Sequence, residues 1–304
     1  MRRRSARATR VAAMPVVVAV VVLTAALTSA CEARVYGAPP AHGPQIVTPL
    51  APVFDQPAAP PSAAFDGLPG RTELAVSQAA DQGARVNVLL LDRNTGQQVS
   101  GGAPRALATA SVAKLFIADD LLFREPNLDA ADRAKLELML RSSDDGAAEE
   151  FWERGGGNVI ISRVAARYGL GATSGPGNGR WWNTLTTAGD LVRYYDMLLA
   201  GTGGLPQDRG NIIIGALSQS TATGVDGYPQ RFGIPDGLYA EPVAVKQGWM
   251  CCIGADWMHL STGVIGPQRR YVMVVYSLQA TDDATARQTI TEVVKTMFPD
   301  GRIG

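Results

Sequence analysis

The chain has 304 residues, of which 46% are hydrophobic, so it is long and apolar enough to bury a substantial core. This composition excludes a predominantly disordered protein. Basic and acidic side chains number 28 each over the whole chain, and beyond residue 30 they number 23 and 28. Without a basic excess, we expect no nucleic-acid partner.

Residues 1–30 predict an export signal. Five arginines lie within the first ten residues, and a run of about twenty mostly apolar or small residues ends directly before Cys31. Small residues before a cysteine resemble the bacterial lipoprotein signal, which implies lipidation of Cys31 and anchoring at the outer face of the cytoplasmic membrane. Leu27 lies one position further from Cys31 than is usual in that signal. A single uncleaved N-terminal membrane helix therefore remains the alternative.

Residues 31–70 predict a tether rather than part of a folded core. Ala-Pro-Pro at 38–40 and Ala-Ala-Pro-Pro at 58–61 interrupt a stretch with little apolar periodicity. Such composition favours a semi-extended chain. We therefore place the folded domain at 71–304.

The predicted elements change in type along this domain. A helix near 72–81 comes first, and an apolar stretch at 86–91 followed by turn residues predicts a β-hairpin. A helical middle with glycine-rich interruptions follows from 111 to about 200. The last third predicts three strands and a helix, at 243–245, 255–265, 271–278 and 282–297.

The predicted fold class is α+β. The connections between the late strands are too short for crossover helices, so the strands should pair antiparallel. The hairpin and these strands would form one sheet flanked by the terminal helices, with the helical middle as a second, all-helical lobe. We assign 71–108 and 240–304 to the sheet lobe and 109–239 to the helical lobe.

Three short motifs carry the candidate chemistry: Ser111-Val112-Ala113-Lys114, Ser143-Asp144-Asp145 and Lys246-Gln247-Gly248. On a helix, a spacing of three brings a hydroxyl and an amine to one face. Serine needs a base to become a nucleophile, and lysine serves as one when burial lowers its pKa. The chain has 24 arginines but only 4 lysines, and two of those lysines occur in the motifs. This bias indicates a need for an amine that can lose its proton.

The order of the motifs resembles that of class A β-lactamases and related D-Ala-D-Ala peptidases, the penicillin-recognising serine hydrolases. The resemblance covers about residues 71–298 and implies their fold, with a reduced helical lobe because only 32 residues separate the first two motifs. The implied catalytic residues are Ser111, Lys114, Ser143 and Asp145, and the implied substrate-binding residues are Lys246, Gln247, Gly248 and Trp249.

The resemblance also implies a role for each group. Ser111 would be the nucleophile, Lys114 its base, and Ser143 a proton shuttle towards the leaving group. Lys246 would line the substrate's carboxylate. The backbone N–H groups of Ser111 and Trp249 would form the oxyanion hole.

Three departures from the family pattern bear on activity. Asp145 replaces asparagine and would raise the pKa of Lys114, which opposes its action as a base. Gln247 replaces threonine and is expected to narrow the pocket. Residues 169–189 contain no acid to activate a deacylating water. A helix N-cap is the alternative interpretation of the Ser143 motif, and an exposed strand lysine that of Lys246.

Two functions remain open at this point. In the first, Ser111 is acylated by D-alanyl peptides or β-lactams, and the protein is a poor β-lactamase whose partner is a cell-wall peptide or peptidoglycan fragment. In the second, the same fold is a catalytically silent binding module. No cofactor is expected.

The remaining candidates are structural or undecided. Cys251 and Cys252 are either two buried thiols or a vicinal disulfide. His42 in the tether and His259 in a strand suggest neither a metal site nor a Ser-His pair, and His259 is expected to be structural. Trp181-Trp182 is either packing or part of the cleft wall.

Overall fold

A computed structural model of the protein describes residues 63–303, all of which belong to one compact unit. The predicted export signal, Cys31 and most of the predicted tether lie outside the described residues. The folded part begins before the predicted boundary at residue 70, because Phe65 and Leu68 are buried in the core. Gly67 has a φ of 66°, and this left-handed turn starts the first helix.

Nine helices and seven strands are described between residues 63 and 303, apart from short 3₁₀ turns. The helices are α1 (Leu68–Asp81), α2 (Ala113–Arg124), α3 (Ala130–Arg141), α4 (Asp145–Gly155), α5 (Asn158–Tyr168), α6 (Ala188–Ala200), α7 (Gln207–Leu217), α8 (Ile234–Gly237) and α9 (Asp283–Met297). The strands are β1 (Ala84–Asp92), β2 (Gln98–Gly101), β3 (Leu107–Ala108), β4 (Leu185–Thr186), β5 (Val243–Ile253), β6 (Asp256–Ile265) and β7 (Tyr271–Gln279). Within this part of the chain, no helix combines the length and hydrophobicity that crossing a bilayer requires.

The main sheet has five strands in the order β2-β1-β7-β6-β5, and every neighbouring pair is antiparallel. The predicted α+β fold with one antiparallel sheet is confirmed. β5 is an edge strand and is much longer than the predicted 243–245. The third motif and both adjacent cysteines therefore lie on one strand at the edge of the sheet.

The two faces of the sheet bury separate groups of apolar side chains. Helices α1 and α9 pack on one face, to which Val88, Leu90 and Val275 contribute. Helix α6 packs against β1 and β7 on the other face. In the helical lobe, α2 is buried at every residue from Ala113 to Leu122.

Two buried carboxylates fix α2 within the helical lobe. Asp119 pairs with Arg167, and Asp120 accepts from Arg163 at 2.7 Å and from Arg124 at 2.7 Å. Each fully buried carboxylate thus has a guanidinium partner, as burial of a charge requires. The start of α2, which carries the first motif, is consequently held in a defined position.

Candidate active site

Ser111 lies in a 3₁₀ turn at 110–112 that runs directly into α2. The preceding residue, Ala110, has a φ of 43°, in the left-handed region that residues with a Cβ rarely adopt. Gly248 of β5 packs against this turn, and a Cβ at that position would stand 2.5 Å from the carbonyl oxygen of Thr109. The glycine of the third motif therefore permits the edge strand to approach the serine.

The Lys114 amine is fully buried and surrounded by oxygen atoms. Its Nζ lies 2.8 Å from Ser111 Oγ, 2.8 Å from the Ser143 carbonyl oxygen, 3.1 Å from Ser143 Oγ and 2.6 Å from Asp145 Oδ1. An ammonium has three hydrogens to donate, and a neutral amine has two hydrogens and a lone pair. The neutral form can accept the Ser111 hydroxyl proton while donating to two of the other oxygens.

Two opposing effects act on the pKa of Lys114. Burial lowers the pKa and is the larger effect, while the Asp145 carboxylate raises it through its charge and its hydrogen bond. The net direction is downward. Asp145 therefore opposes loss of the proton, as the sequence predicts, but does not outweigh burial.

Ser143 stands between the two motif lysines. Its Oγ is 3.1 Å from Lys114 Nζ and 2.9 Å from Lys246 Nζ, and its φ is 57°. Lys246 is buried, and this burial, reinforced by the charge of Lys114, holds the pKa of Lys246 well below its usual value. The alternative of an exposed strand lysine is therefore wrong, and the three side chains form a continuous chain of hydrogen bonds.

The Ser143 motif also caps a helix. Asp144 accepts a hydrogen bond from the Ala147 backbone N–H at 2.6 Å, at the start of α4. The cap directs the following residue, Asp145, towards Lys114. The two interpretations of this motif are therefore compatible, since one residue caps the helix while its neighbours meet the lysine.

Gln247 does not line the cavity beside Ser111, contrary to the expectation that it narrows the pocket. Its side chain is buried, and its Nε2 donates to the carbonyl oxygens of Gln230 at 2.9 Å and Phe232 at 2.7 Å. The side-chain amide thus satisfies the hydrogen-bonding capacity of two backbone carbonyls that would otherwise need water. Gln247 thus attaches the 230–232 segment to β5 and leaves the cleft open.

A cavity of about 170 Å³ opens beside Ser111. Its walls are formed by Ala110, Ser111, Asp145, Trp181, Trp182, Asp226, Trp249 and Met250. Trp181 is buried as well, so it both packs and lines the cleft. The sequence did not point to Asp226 or Met250, and the Asp226-Gly227 pair signals only a turn.

Two acids line this cavity. Of the described residues that line it, Asp145 and Asp226 are the acidic ones. Glu149 accepts a hydrogen bond from Trp181 Nε1 at 2.9 Å, but it is not part of the cavity wall. None of these three acids lies in the segment 169–189, which contains no Asp or Glu.

The remaining candidates lie outside the cavity. Cys251 and Cys252 are paired as a vicinal disulfide across a cis peptide bond, and both are exposed. His259 is buried, its Nε2 meets the Tyr228 hydroxyl at 2.8 Å, and burial lowers its pKa to about 4. In residues 63–303, no group of three His, Cys, Asp or Glu side chains has the arrangement of a metal site.

Comparison with known proteins finds close relatives by sequence and distant ones by structure. The chain is 64% identical over 251 residues to proteins described as "Putative lipoprotein LppW" in Mycobacterium bovis and Mycobacterium tuberculosis, covering 81% of this chain and 80% of theirs. No family model matches the sequence.

Solved structures with a similar fold are β-lactamases. The TLA-3 extended-spectrum β-lactamase has a TM-score of 0.61 at 14% identity, covering 77% of this chain and 98% of the other. A representative of class A β-lactamase from Bacteroides cellulosilyticus has a TM-score of 0.61 at 12% identity, covering 79% of this chain and 98% of the other. At these identities the likeness shows the fold alone.

Proposed function

Because the chain belongs to the LppW family and has the fold of class A β-lactamases, we propose that it is a cell-envelope lipoprotein whose Ser111 is acylated by D-alanyl peptides or β-lactams. The observation that carries this proposal is the buried Lys114 amine, 2.8 Å from Ser111 Oγ and with a lowered pKa. A desolvated lysine beside a serine is a suitable base for nucleophilic attack.

In the proposed acylation, Lys114 Nζ takes the hydroxyl proton as Ser111 Oγ bonds to the substrate's carbonyl carbon. The carbonyl π electrons move to oxygen, which the backbone N–H groups of Ser111 and Trp249 would stabilise. The carbonyl then re-forms and the bond to the leaving nitrogen breaks. That nitrogen receives the proton from Lys114 through Ser143 Oγ. The product is a Ser111 ester, and the amine departs when the substrate is a peptide but stays attached to the acyl group when it is a β-lactam.

The acyl-enzyme should persist. Hydrolysis needs a base beside the ester carbonyl to remove a proton from water. Of the two acids in the cavity wall, Asp145 is engaged by Lys114 at 2.6 Å, and Asp226 accepts a hydrogen bond from the Tyr228 backbone N–H at 3.0 Å. The proposal is therefore a serine hydrolase or acyl-transferring protein with poor β-lactamase turnover, acting on peptides of the cell wall.

The name of the relatives and the predicted signal support a proposed location at the membrane. A lipoprotein is anchored by its lipidated cysteine, which here would be Cys31, at the outer face of the cytoplasmic membrane. The anchor would keep the domain near newly made cell wall.

A silent binding module is the second candidate, and one observation favours it. The Asp145 carboxylate is paired with the Lys114 amine, and such a pair holds the proton on nitrogen. A serine beside a protonated lysine would bind acyl peptides without reacting.

Intact-protein mass spectrometry of the full-length protein in detergent separates the two candidates. The protein is incubated with a fluorescent penicillin and with a D-alanyl thioester, in parallel with Ser111→Ala and with Ser162→Ala as a matched control on the exposed side of α5. We expect a lasting adduct on the wild type and on the control but none on Ser111→Ala. Absence of any adduct with both probes would favour the silent module.

A further inference from the structure

The wall of the cavity beside Ser111 favours a positive charge on the part of the substrate that it contacts. The charged residues in its wall are Asp145 and Asp226, and both are acidic. Lys114 and Lys246 are only 0% and 1% exposed, so their amines do not reach its surface. Arg180 stacks over Trp182 at 5.5 Å but is not part of the cavity wall.

The apolar part of the wall is built of indole rings. Trp181 and Trp182 meet edge to face with centroids 5.1 Å apart. Trp249 stacks on Tyr228 with centroids 4.3 Å apart and planes within 6°. The faces of such rings attract cations, and Lys114 Nζ already lies 4.7 Å from the ring centroid of Trp181.

Asp226 is exposed, and one oxygen of its carboxylate is held by a backbone hydrogen bond. Its Oδ1 accepts from the Tyr228 backbone N–H at 3.0 Å, and the Tyr228 hydroxyl is fixed by His259 Nε2 at 2.8 Å and by Asp283. Since Tyr228 also stacks on Trp249, the carboxylate and this indole form one preorganised wall.

We propose that the cavity selects a substrate carrying an ammonium group, which the Asp145 and Asp226 carboxylates and the Trp182 and Trp249 rings would hold. The carboxylates accept hydrogen bonds from N–H groups and repel carboxylates, while the rings add cation–π attraction. An acyl donor with an ammonium is therefore preferred over a matched donor with a carboxylate. The consequence for acylation rests on the proposed function, whereas the binding preference does not.

The binding preference is tested on full-length Ser111→Ala, which cannot be acylated. Benzylamine, benzyl alcohol and benzoate present the same ring with a positive, neutral and negative group, and binding is followed by tryptophan fluorescence and by NMR of the indole N–H signals. We expect the cation to bind about tenfold more tightly than benzoate at low salt, with the difference shrinking at about 1 M salt. Equal binding of all three, stronger binding of benzoate, or no binding by any of them would overturn the proposal.

Asp226→Asn in the same background removes one carboxylate and keeps the side-chain oxygen that meets Tyr228. It should lower benzylamine affinity about fivefold and leave benzyl alcohol unchanged. Asp66→Asn, an exposed aspartate before α1, is the matched control and should change neither. A loss of benzylamine affinity as large in the control as in Asp226→Asn would overturn the assignment of the cation to this wall.

The acylation arm uses the wild type and three D-alanyl thioesters whose acyl caps end in an ammonium, a methyl or a carboxylate group. Faster acylation by the ammonium donor supports both proposals. Acylation at equal rates by all three would leave the proposed function standing and contradict the charge preference. No acylation, together with tight binding of benzylamine to Ser111→Ala, would contradict the function and leave the ammonium site standing.

Discussion

The Lys114 amine is buried among more oxygen atoms than an ammonium has hydrogens to meet, and one of these oxygens belongs to a carboxylate. This carboxylate, Asp145, is 73% exposed in its side chain, so water weakens but does not remove its effect on the lysine. The balance between burial and this carboxylate decides how much neutral amine is present at neutral pH.

Asp145→Asn should therefore make Ser111 more reactive at neutral pH. Removing the carboxylate lowers the pKa of Lys114 further, so the part of the rate profile in which Lys114 loses its proton should move to lower pH. The acylation rate is measured by intact mass at several pH values, with a correction for spontaneous hydrolysis of the thioester. Its pH dependence reports this shift.

Asp144→Asn is the control for this variant, because asparagine still caps α4 and the charge removed has only a minor influence on Lys114. Its profile should stay close to that of the wild type. A profile for Asp145→Asn that remains in place, or moves to higher pH, would mean that Lys114 is not the base.

At the scale of elements, the site depends on how closely β5 approaches the turn at 110–112. Gly248→Ala would place a Cβ at 2.5 Å from the Thr109 carbonyl oxygen, which neither strand nor turn can accept without moving. We expect a loss of about 1–3 kcal/mol in the free energy of unfolding and a fall in acylation of at least about tenfold. Urea unfolding and the rate of thioester adduct formation measure the two effects.

Gly215→Ala is the matched control, since a Cβ there meets nothing within 4 Å and the position lies in α7. Alanine is the better helix former, so the control should be as stable as the wild type or more so. Similar losses in both variants would contradict the claim that close approach is what Gly248 provides.

His259 of β6 connects its strand to the 221–232 loop through Tyr228 and to α9 through Asp283. Burial lowers its pKa from 6.5 to about 4, so the folded protein keeps the ring neutral where the unfolded chain binds a proton. Its contribution to stability is complete above about pH 6.5 and is lost as the pH falls towards 4. The loss is at most about 3 kcal/mol.

The free energy of unfolding of His259→Asn should consequently fall less between pH 7 and pH 4 than that of the wild type. Urea unfolding at several pH values gives the difference, and the carboxylates common to both proteins cancel in it. His42→Asn, in the predicted tether, should behave as the wild type does. An equal fall in His259→Asn and the wild type would show that His259 is not neutral when folded.

Over the whole molecule, the sequence predicted what depends on short-range pattern and on motif order. The hairpin, the late strands and the meeting of Ser111 with Lys114 follow from spacing alone, and the motif order indicated the fold. The cavity wall could not be predicted in the same way, because Asp226 and Trp249 belong to distant segments that are joined by the stacking of Tyr228 on Trp249. The buried position of Gln247 likewise depends on the carbonyls of the 230–232 segment.

The N-terminal region is predicted to decide where this domain works, through lipidation of Cys31. If Cys31 is lipidated, a bacterial cell fed a labelled fatty acid should label the wild type and the paired variant Cys251→Ser/Cys252→Ser but not Cys31→Ser. Since two acyl chains or more are needed for stable anchoring, Cys31→Ser should also leave the detergent phase on phase separation. A different result would support an uncleaved membrane helix at residues 11–30. In that case the wild type is not labelled, and both it and Cys31→Ser remain in the detergent phase.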